Sequence, residues 1–131
     1  MNNDVVIYQS SDGLVKMEAI VDASNETIWA TQKAMAQLFG VNVPAISKHL
    51  KNIYSEGELA ESMTISKMET VVQRGFRGAV REMVEFYNLD VIISVGYRIN
   101  SRQATAYRQW ATSVLKQYML KGYDVNQNAV S

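Results

Sequence analysis

The clearest hydrophobic pattern of the chain lies between Gln32 and Lys51. Its apolar positions are Met35, Leu38, Phe39, Val41, Ile46 and Leu50. The spacings of three and four residues within this set are those of one helix face followed by another. The pattern therefore predicts two short amphipathic helices close together in the sequence.

The residues between the two apolar groups predict a tight turn. Gly40 can adopt the left-handed conformation that ends a helix. Asn42 is a good N-cap for a second helix, and Pro44 falls in its first turn, where a missing N–H is tolerated. Ala36 is small enough to let the helices approach. The segment thus has the spacing of a helix-turn-helix.

A helix-turn-helix predicts a duplex DNA partner, because its second helix can enter the major groove. The residues expected to face bases are Asn42, Ala45, Ser47 and Lys48, and Val43 is expected to be exposed on the same helix as a further DNA-binding residue. Lys33 and Lys51 are expected to contact phosphates. The alternative is a helical hairpin that packs a core and binds nothing.

Before this segment the chain predicts three short strands. Residues 5–8 and the alternating residues 14–21 flank the turn sequence 10–13, which indicates a β-hairpin. Residues 27–29 form a third strand that leads into the first helix, with Thr31 as its N-cap. Trp29 is predicted to be a core residue at the junction of sheet and helix.

After the helix pair the sequence predicts a second hairpin. Residues 63–72 and 79–87 are rich in strand-forming side chains and flank the basic, glycine-containing turn 73–78. A hairpin in this place corresponds to the wing of a winged helix. Arg74, Arg77 and Arg81 are expected to cluster at its tip and reach phosphates or the minor groove. The alternative is an exposed basic turn without a partner.

The C-terminal third predicts two helices. Asn88 caps a short helix, 89–95, which Gly96 ends; Ser101 caps a long helix, about 102–121, which Gly122 ends. The long helix has a wide apolar stripe, expected mainly to be core. A second use of the stripe is a homodimer contact through Tyr107, Trp110, Val114 and Tyr118.

Together these elements predict an α+β fold: small antiparallel strands and hairpins around a helix-turn-helix, with a wing-like hairpin and a long C-terminal helix. Residues 1–122 are expected to form a single domain, and residues 123–131 a flexible tail.

Composition narrows the function classes. The 131 residues contain no cysteine, and no run of apolar residues is long enough for a membrane span. The N-terminus does not resemble a signal peptide, so we expect a cytoplasmic protein without a membrane partner. The net charge is zero, but residues 27–55 contain three lysines and no acid, and residues 91–131 have a balance of +4. A local basic patch on a neutral protein is therefore expected.

Catalytic chemistry is poorly supplied. His49 is the only histidine, and the glycine-rich or nucleophile motifs of common enzyme classes do not occur. A histidine relay or a zinc site would lack partners. We expect a protein that is not an enzyme and that needs no metal or other cofactor.

Two stretches carry a family resemblance. VEFYNLDVIISVGYRINSRQATAYRQWATSVLKQYMLKGY, residues 84–123, resembles the RhuM family of virulence-associated and phage-linked bacterial proteins. The upstream stretch IWATQKAMAQLFGVNVPAISKHLKNIYSEGEL, residues 28–59, resembles the same family.

A more distant resemblance is to the Bro-N type of DNA-binding domain found in phage antirepressors. It rests on Ser101, Ala104, Tyr107, Arg108 and Trp110 in the last helix. The two resemblances imply a DNA-binding, regulatory protein of a mobile element, such as a transcriptional regulator or an antirepressor. Because members of the family are usually longer, they also imply a C-terminal domain beyond this chain.

Overall fold

The computed structural model describes residues 4–130, with side chains described for residues 4–121. The elements are β1 (Asp4–Gln9), β2 (Lys16–Asp22), β3 (Thr27–Trp29), α1 (Gln32–Phe39), α2 (Val43–Ser55), α3 (Glu61–Thr64), β4 (Ile65–Gln73), β5 (Ala79–Tyr87), α4 (Leu89–Ile99) and α5 (Ser101–Val130). The predicted α+β class, with small antiparallel sheets and a long C-terminal helix, is confirmed.

The first sheet has the order β1-β2-β3 and is antiparallel throughout. Met17, Ala19 and Val21 of β2 are buried, whereas Lys16 and Glu18 are exposed and Ile20 is partly buried. Side chains of a strand alternate between its two faces, so the apolar face of β2 packs on the helices and the polar face meets solvent. The predicted hairpin and third strand are confirmed.

The turn between β2 and β3 is organised by the buried carboxylate of Asp22. It accepts hydrogen bonds from Asn25 Nδ2 (2.8 Å), Trp29 Nε1 (3.0 Å) and Ser24 Oγ (3.0 Å). Burial alone would raise the pKa of Asp22, but these hydrogen bonds favour the charged form and lower it. Trp29 is only partly buried, because its indole N–H must reach this carboxylate at the edge of the core.

The link between α1 and α2 has the predicted caps. Thr31 Oγ1 accepts from the Ala34 amide (3.1 Å), and Asn42 Oδ1 accepts from the Ala45 amide (2.9 Å). Gly40 has a φ of 69°, in the left-handed region, and its amide donates to the Ala36 carbonyl. The second helix extends to Ser55, beyond the predicted end at Lys51.

Gly96 does not end α4, which continues to Ile99. Gly96 is buried in the middle of the helix, where a Cβ atom would lie 2.6 Å from Phe39 Cζ and 2.7 Å from Ala104 Cβ. These atoms belong to α1 and α5. The glycine is therefore needed for the close approach of three helices, and its prediction as a helix end was wrong.

The boundaries of α5 also differ from the prediction. Asn100, not Ser101, caps the helix: its Oδ1 accepts from the Gln103 amide (3.2 Å). Gly122 does not end the helix, which runs to Val130. The predicted flexible tail, 123–131, falls outside the residues whose side chains are described.

An aromatic cluster joins α5 to the first sheet. Tyr8 of β1 contacts Tyr107 and Trp110 edge-on, with ring centroids 5.1 and 5.0 Å apart. Tyr107 is completely buried, and its hydroxyl has no hydrogen-bond partner among the described residues. Burial raises the pKa of the Tyr107 hydroxyl well above its usual value. Tyr107 is thus a core residue here and cannot contact a second copy of the chain as predicted.

Within the described part of the chain, no helix combines the length and apolar character that crossing a bilayer requires.

Candidate nucleic-acid interface

The helix α2 is covered on one side only. Ile46, Leu50 and Ile53 are buried against the body of the protein. The predicted DNA contacts Asn42, Val43, Lys48 and Lys51 are exposed, and Ala45 and Ser47 are partly buried. The outer side of α2 is therefore open to solvent, with no part of the described chain laid across it.

The cap geometry limits what Asn42 can offer. Its side-chain oxygen accepts from the Ala45 amide, which fixes the orientation of the amide group and leaves one oxygen lone pair and the side-chain nitrogen for external partners.

A cleft of about 460 Å³ separates α2 from the root of the β4–β5 hairpin. Ser47 and Lys51 line it together with the carboxylates Glu61 and Glu85. Lys51 thus shares its surroundings with acids, which weakens its predicted role as a phosphate contact. Lys48, which directly follows Ser47 in α2, does not line this cleft.

The floor of the same cleft is a hydrogen-bonded tyrosine. Tyr87 Oη donates to Glu85 Oε2 (3.0 Å) and accepts from Gln32 Nε2 (3.0 Å). Burial is the main reason that the pKa of Tyr87 rises to about 12. The hydroxyl therefore stays protonated at neutral pH and fixes α1 to the root of the hairpin.

Lys33 lies in a different place. It lines a groove of about 520 Å³ that is bounded by α1, the outer face of β1 and β2, and the hairpin residues Thr70 and Phe86. Lys16 and Glu18 line it as well. Lys33 and Lys51 therefore line two separate grooves, each of which borders the hairpin. The two predicted phosphate contacts do not share one groove.

The arginines at the hairpin tip are not all available. Arg74 Nε donates to Glu82 Oε2 (2.7 Å), and Arg81 Nη1 donates to Glu69 Oε1 (3.1 Å). Because of these hydrogen bonds the pKa of Arg74 is raised and that of Glu82 is lowered. The predicted cluster of three arginines is therefore partly neutralised by acids on the same two strands.

A further ion-pair group lies at the C-terminal end of α2. Arg98 of α4 donates to Glu56 Oε1 (2.8 Å) and Glu58 Oε1 (2.9 Å). These pairs reduce the negative charge of the loop after α2 and hold α4 against it. Sequence inspection did not identify them, because the partners are some 40 residues apart.

Two features of the interface were missed at the sequence level. Glu85 lies beside α2 only because the root of the β4–β5 hairpin packs near this helix, which the sequence does not reveal. Phe76 had a local signal: it is an aromatic residue inside the turn QRGFRG, and the structure leaves it fully exposed. Among the described residues, no group of three or more histidine, cysteine or acidic side chains could hold a metal ion.

Comparisons with known proteins bear on the second half of the chain. The model of the virulence protein RhuM family matches residues 63–131, slightly more than half of the sequence. The matched segment contains the β4–β5 hairpin, α4 and α5, whereas the upstream resemblance at residues 28–59 lies outside it. No curated protein and no solved structure matches the chain. The chain belongs to the virulence protein RhuM family.

Proposed function

We propose that this chain is a duplex-DNA-binding domain of a transcriptional regulator or phage-type antirepressor. In this proposal α1 and α2 act as a helix-turn-helix, and the β4–β5 hairpin acts as its wing. The second helix enters the major groove, and the hairpin contacts the duplex beside it.

The observation that carries the proposal is the open outer side of α2. The helix contains two lysines and no acidic residue, and its packing contacts are confined to the opposite side. Its N-terminus, capped by Asn42, is also exposed, so the Val43 amide and the positive end of the helix dipole are available to a phosphate, whereas Pro44 has no N–H and the Ala45 amide is bonded to the cap.

The first half of α2 is the better candidate for base contacts. Asn42, Val43 and Lys48 are exposed and lie outside the acidic cleft. The Asn42 amide nitrogen and the Lys48 ammonium are donors to base-edge acceptors, and Val43 is an apolar contact for a thymine methyl group. Ser47 and Lys51 line the cleft that also contains Glu61 and Glu85, so they are the weaker candidates for DNA contacts.

The neutral net charge sets an expectation for affinity. A protein with few phosphate contacts binds nonspecific DNA weakly and shows a shallow salt dependence. Each lysine that contacts a phosphate contributes about 0.9 to the slope of log K against log salt. We therefore expect measurable binding to random duplex DNA only at low salt, and binding at higher salt only to a selected sequence.

The experiment is selection of bound duplexes from a random pool, followed by titration of the best duplex at several salt concentrations. The test variant is Lys48→Ala/Lys51→Ala. The matched control is Lys116→Ala/Lys121→Ala, which removes the same charge from exposed positions on α5. We expect the α2 variant to lose affinity and the salt slope to fall by about one to two units, while the α5 variant behaves like the unmodified protein.

Two results would reject the proposal. One is the absence of binding to any duplex at low salt. The other is equal affinity and salt dependence for the two double variants, because charge alone, and not the position of α2, would then control binding.

The second candidate function is a protein-interaction module. It is favoured by an apolar surface on α5 where Met119 and Leu120 are exposed beside Leu115. This surface replaces the predicted contact through Tyr107, which is buried. Dimerisation detected by light scattering and lost in Leu120→Asp, without any DNA binding, would favour this alternative.

A further inference from the structure

The β4–β5 hairpin is a long arm with a narrow root. Each strand has nine residues, paired in continuous antiparallel register from Ile65–Tyr87 to Gln73–Ala79. The arm is tied to the body near its root by the two backbone hydrogen bonds between Ala30 and Tyr87 (2.8 and 3.0 Å). At about 3.3 Å per residue its tip lies roughly 26 Å from this root.

The tip has an unusual composition. Residues 72–81 contain three arginines and no acidic residue. Between them Phe76 sits in a single 3₁₀ turn, Gly75–Arg77, and its side chain is fully exposed. A phenylalanine without any packing partner gains nothing for the fold, so its apolar ring is available to a ligand.

The surrounding charges favour an anionic ligand. Arg77 is exposed at the tip, and the pairs Arg74–Glu82 and Arg81–Glu69 are exposed ion pairs, which contribute little to stability and exchange readily onto phosphates. An apolar ring between cationic side chains is the arrangement by which proteins wedge open a base step in the minor groove.

The position of the arm matches the same ligand. Its root borders α2 through the cleft lined by Ser47 and Lys51, and its middle borders α1 through Thr70. Neighbouring grooves of B-DNA are about half a turn apart, roughly 17 Å. An arm of this length is long enough to span from a major groove occupied by α2 to the adjacent minor groove.

We propose that Phe76 is a DNA wedge: it inserts between two base pairs in the minor groove and kinks the duplex, while the flanking arginines hold the phosphates on either side. This rests on the proposed DNA-binding function and adds to it a defined mode of contact. Insertion requires two base pairs to unstack, and this costs least free energy at flexible pyrimidine–purine steps, so the protein should favour duplexes that contain such a step.

The test uses the full chain and the duplex selected from the random pool, prepared as a series with 2-aminopurine at successive positions and with a dye pair at its ends. Unstacking raises 2-aminopurine fluorescence, and bending raises energy transfer between the ends. The variants are Phe76→Ala, Phe76→Leu and the control Leu14→Ala, which removes another exposed apolar side chain from the β1–β2 turn.

We expect the unmodified protein and Leu14→Ala to raise both signals at one step of the duplex. Phe76→Ala should bind with roughly fivefold to tenfold lower affinity and raise neither signal, and Phe76→Leu should retain part of both. All variants should unfold at the same denaturant concentration, because neither side chain is packed.

The outcomes separate the wedge from the proposed function. If the unmodified protein binds DNA and Phe76→Ala changes neither signal nor affinity, the wedge is wrong and the DNA-binding function stands. If no duplex binds, both fail. If Phe76→Ala leaves the DNA signals unchanged but loses binding to anionic lipid vesicles, the tip contacts a lipid surface and the wedge is likewise overturned.

Discussion

The body of this protein, made of β1–β3, α1, α2, α4 and α5, has a densely packed core, whereas the β4–β5 arm exposes large apolar side chains. In the body, side chains from α1, α4, α5 and the first sheet fill one core, and even a single methyl group at Gly96 has no room. In the arm, two strands pair with each other and expose Val71, Phe76 and Met83 to solvent. A two-stranded ribbon of this kind is only marginally stable by itself.

The two regions are therefore expected to respond differently to substitution. Body residues are constrained by their neighbours, so their substitution should lower the free energy of unfolding. Arm residues near the tip have few neighbours, so their substitution should leave folding unchanged and alter only what the arm contacts.

The largest effect is expected at Gly96. In Gly96→Ala the new Cβ atom would overlap the ring of Phe39 and the Cβ of Ala104, so the helices must separate. Overpacking of this kind should destabilise the protein by about 3 kcal/mol. Urea unfolding measures the loss directly.

A double-mutant cycle distinguishes this clash from a general intolerance of α4. Phe39→Leu removes the ring atoms nearest Gly96, so the combined variant should be less destabilised than the sum of the two single changes. Simple additivity would show that the contact of Gly96 with α1 does not control the packing of the body.

A smaller effect is expected at Asp22, the buried carboxylate of the body. Its pKa is lowered in the folded protein, so its contribution to stability is present above the unfolded value near 3.8 and is lost as pH falls through the folded value. Asp22→Asn should lower the free energy of unfolding by about 2 kcal/mol at pH 7, and the difference should shrink toward pH 3.

The control is Glu18→Gln, an exposed carboxylate of β2. Its stability should follow that of the unmodified protein at both pH values. A constant gap between Asp22→Asn and the unmodified protein from pH 7 to pH 3 would mean that the hydrogen bonds from Ser24, Asn25 and Trp29 do not depend on the charge of Asp22.

The sequence predicted the parts of this fold that depend on local chemistry. The caps at Thr31, Asn42 and Asn88 are side-chain hydrogen bonds to amides three residues away, and the Gly40 cap follows from the left-handed backbone that glycine allows. The strand alternation of β2 follows from its own pattern. These features need no knowledge of distant contacts.

The wrong predictions concern residues whose structural role is set by side chains distant in the sequence. Gly96 has the sequence signal of a helix end, but its role is set by Phe39 and Ala104. Tyr107 lies on a stripe that was predicted mainly as core, with a dimer contact as a second use, and its contact with Tyr8 assigns it to the core. For the candidate site, the open side of α2 was predictable from its period, whereas the acids Glu61 and Glu85 near Lys51 were not.

The ion pair of Arg81 in the arm depends on the register of the hairpin. In the register of the hairpin Glu69 is opposite Met83, which puts Arg81 on the diagonal and within reach of its carboxylate. The predicted strands, 63–72 and 79–87, place residue 72 opposite residue 79 and hence Glu69 opposite Glu82, whereas the structure pairs Gln73 with Ala79. This difference of one residue moves the side chains to the other face, so the pairing of Arg81 with Glu69 was not predictable.

The smallest effect on stability, and a gain in binding, is expected from Glu82→Gln in the arm. The change releases Arg74 from its carboxylate, but both side chains are exposed, so the urea midpoint should not move measurably. The released guanidinium can contact a phosphate, which should steepen the salt dependence of DNA binding by about 0.9.

Asp90→Asn on α4 makes the same change in net charge away from the arm and should leave the salt slope unchanged. If Glu82→Gln lowers the urea midpoint as much as a substitution in the body does, the arm is held by its ion pairs and the contrast between the two regions fails.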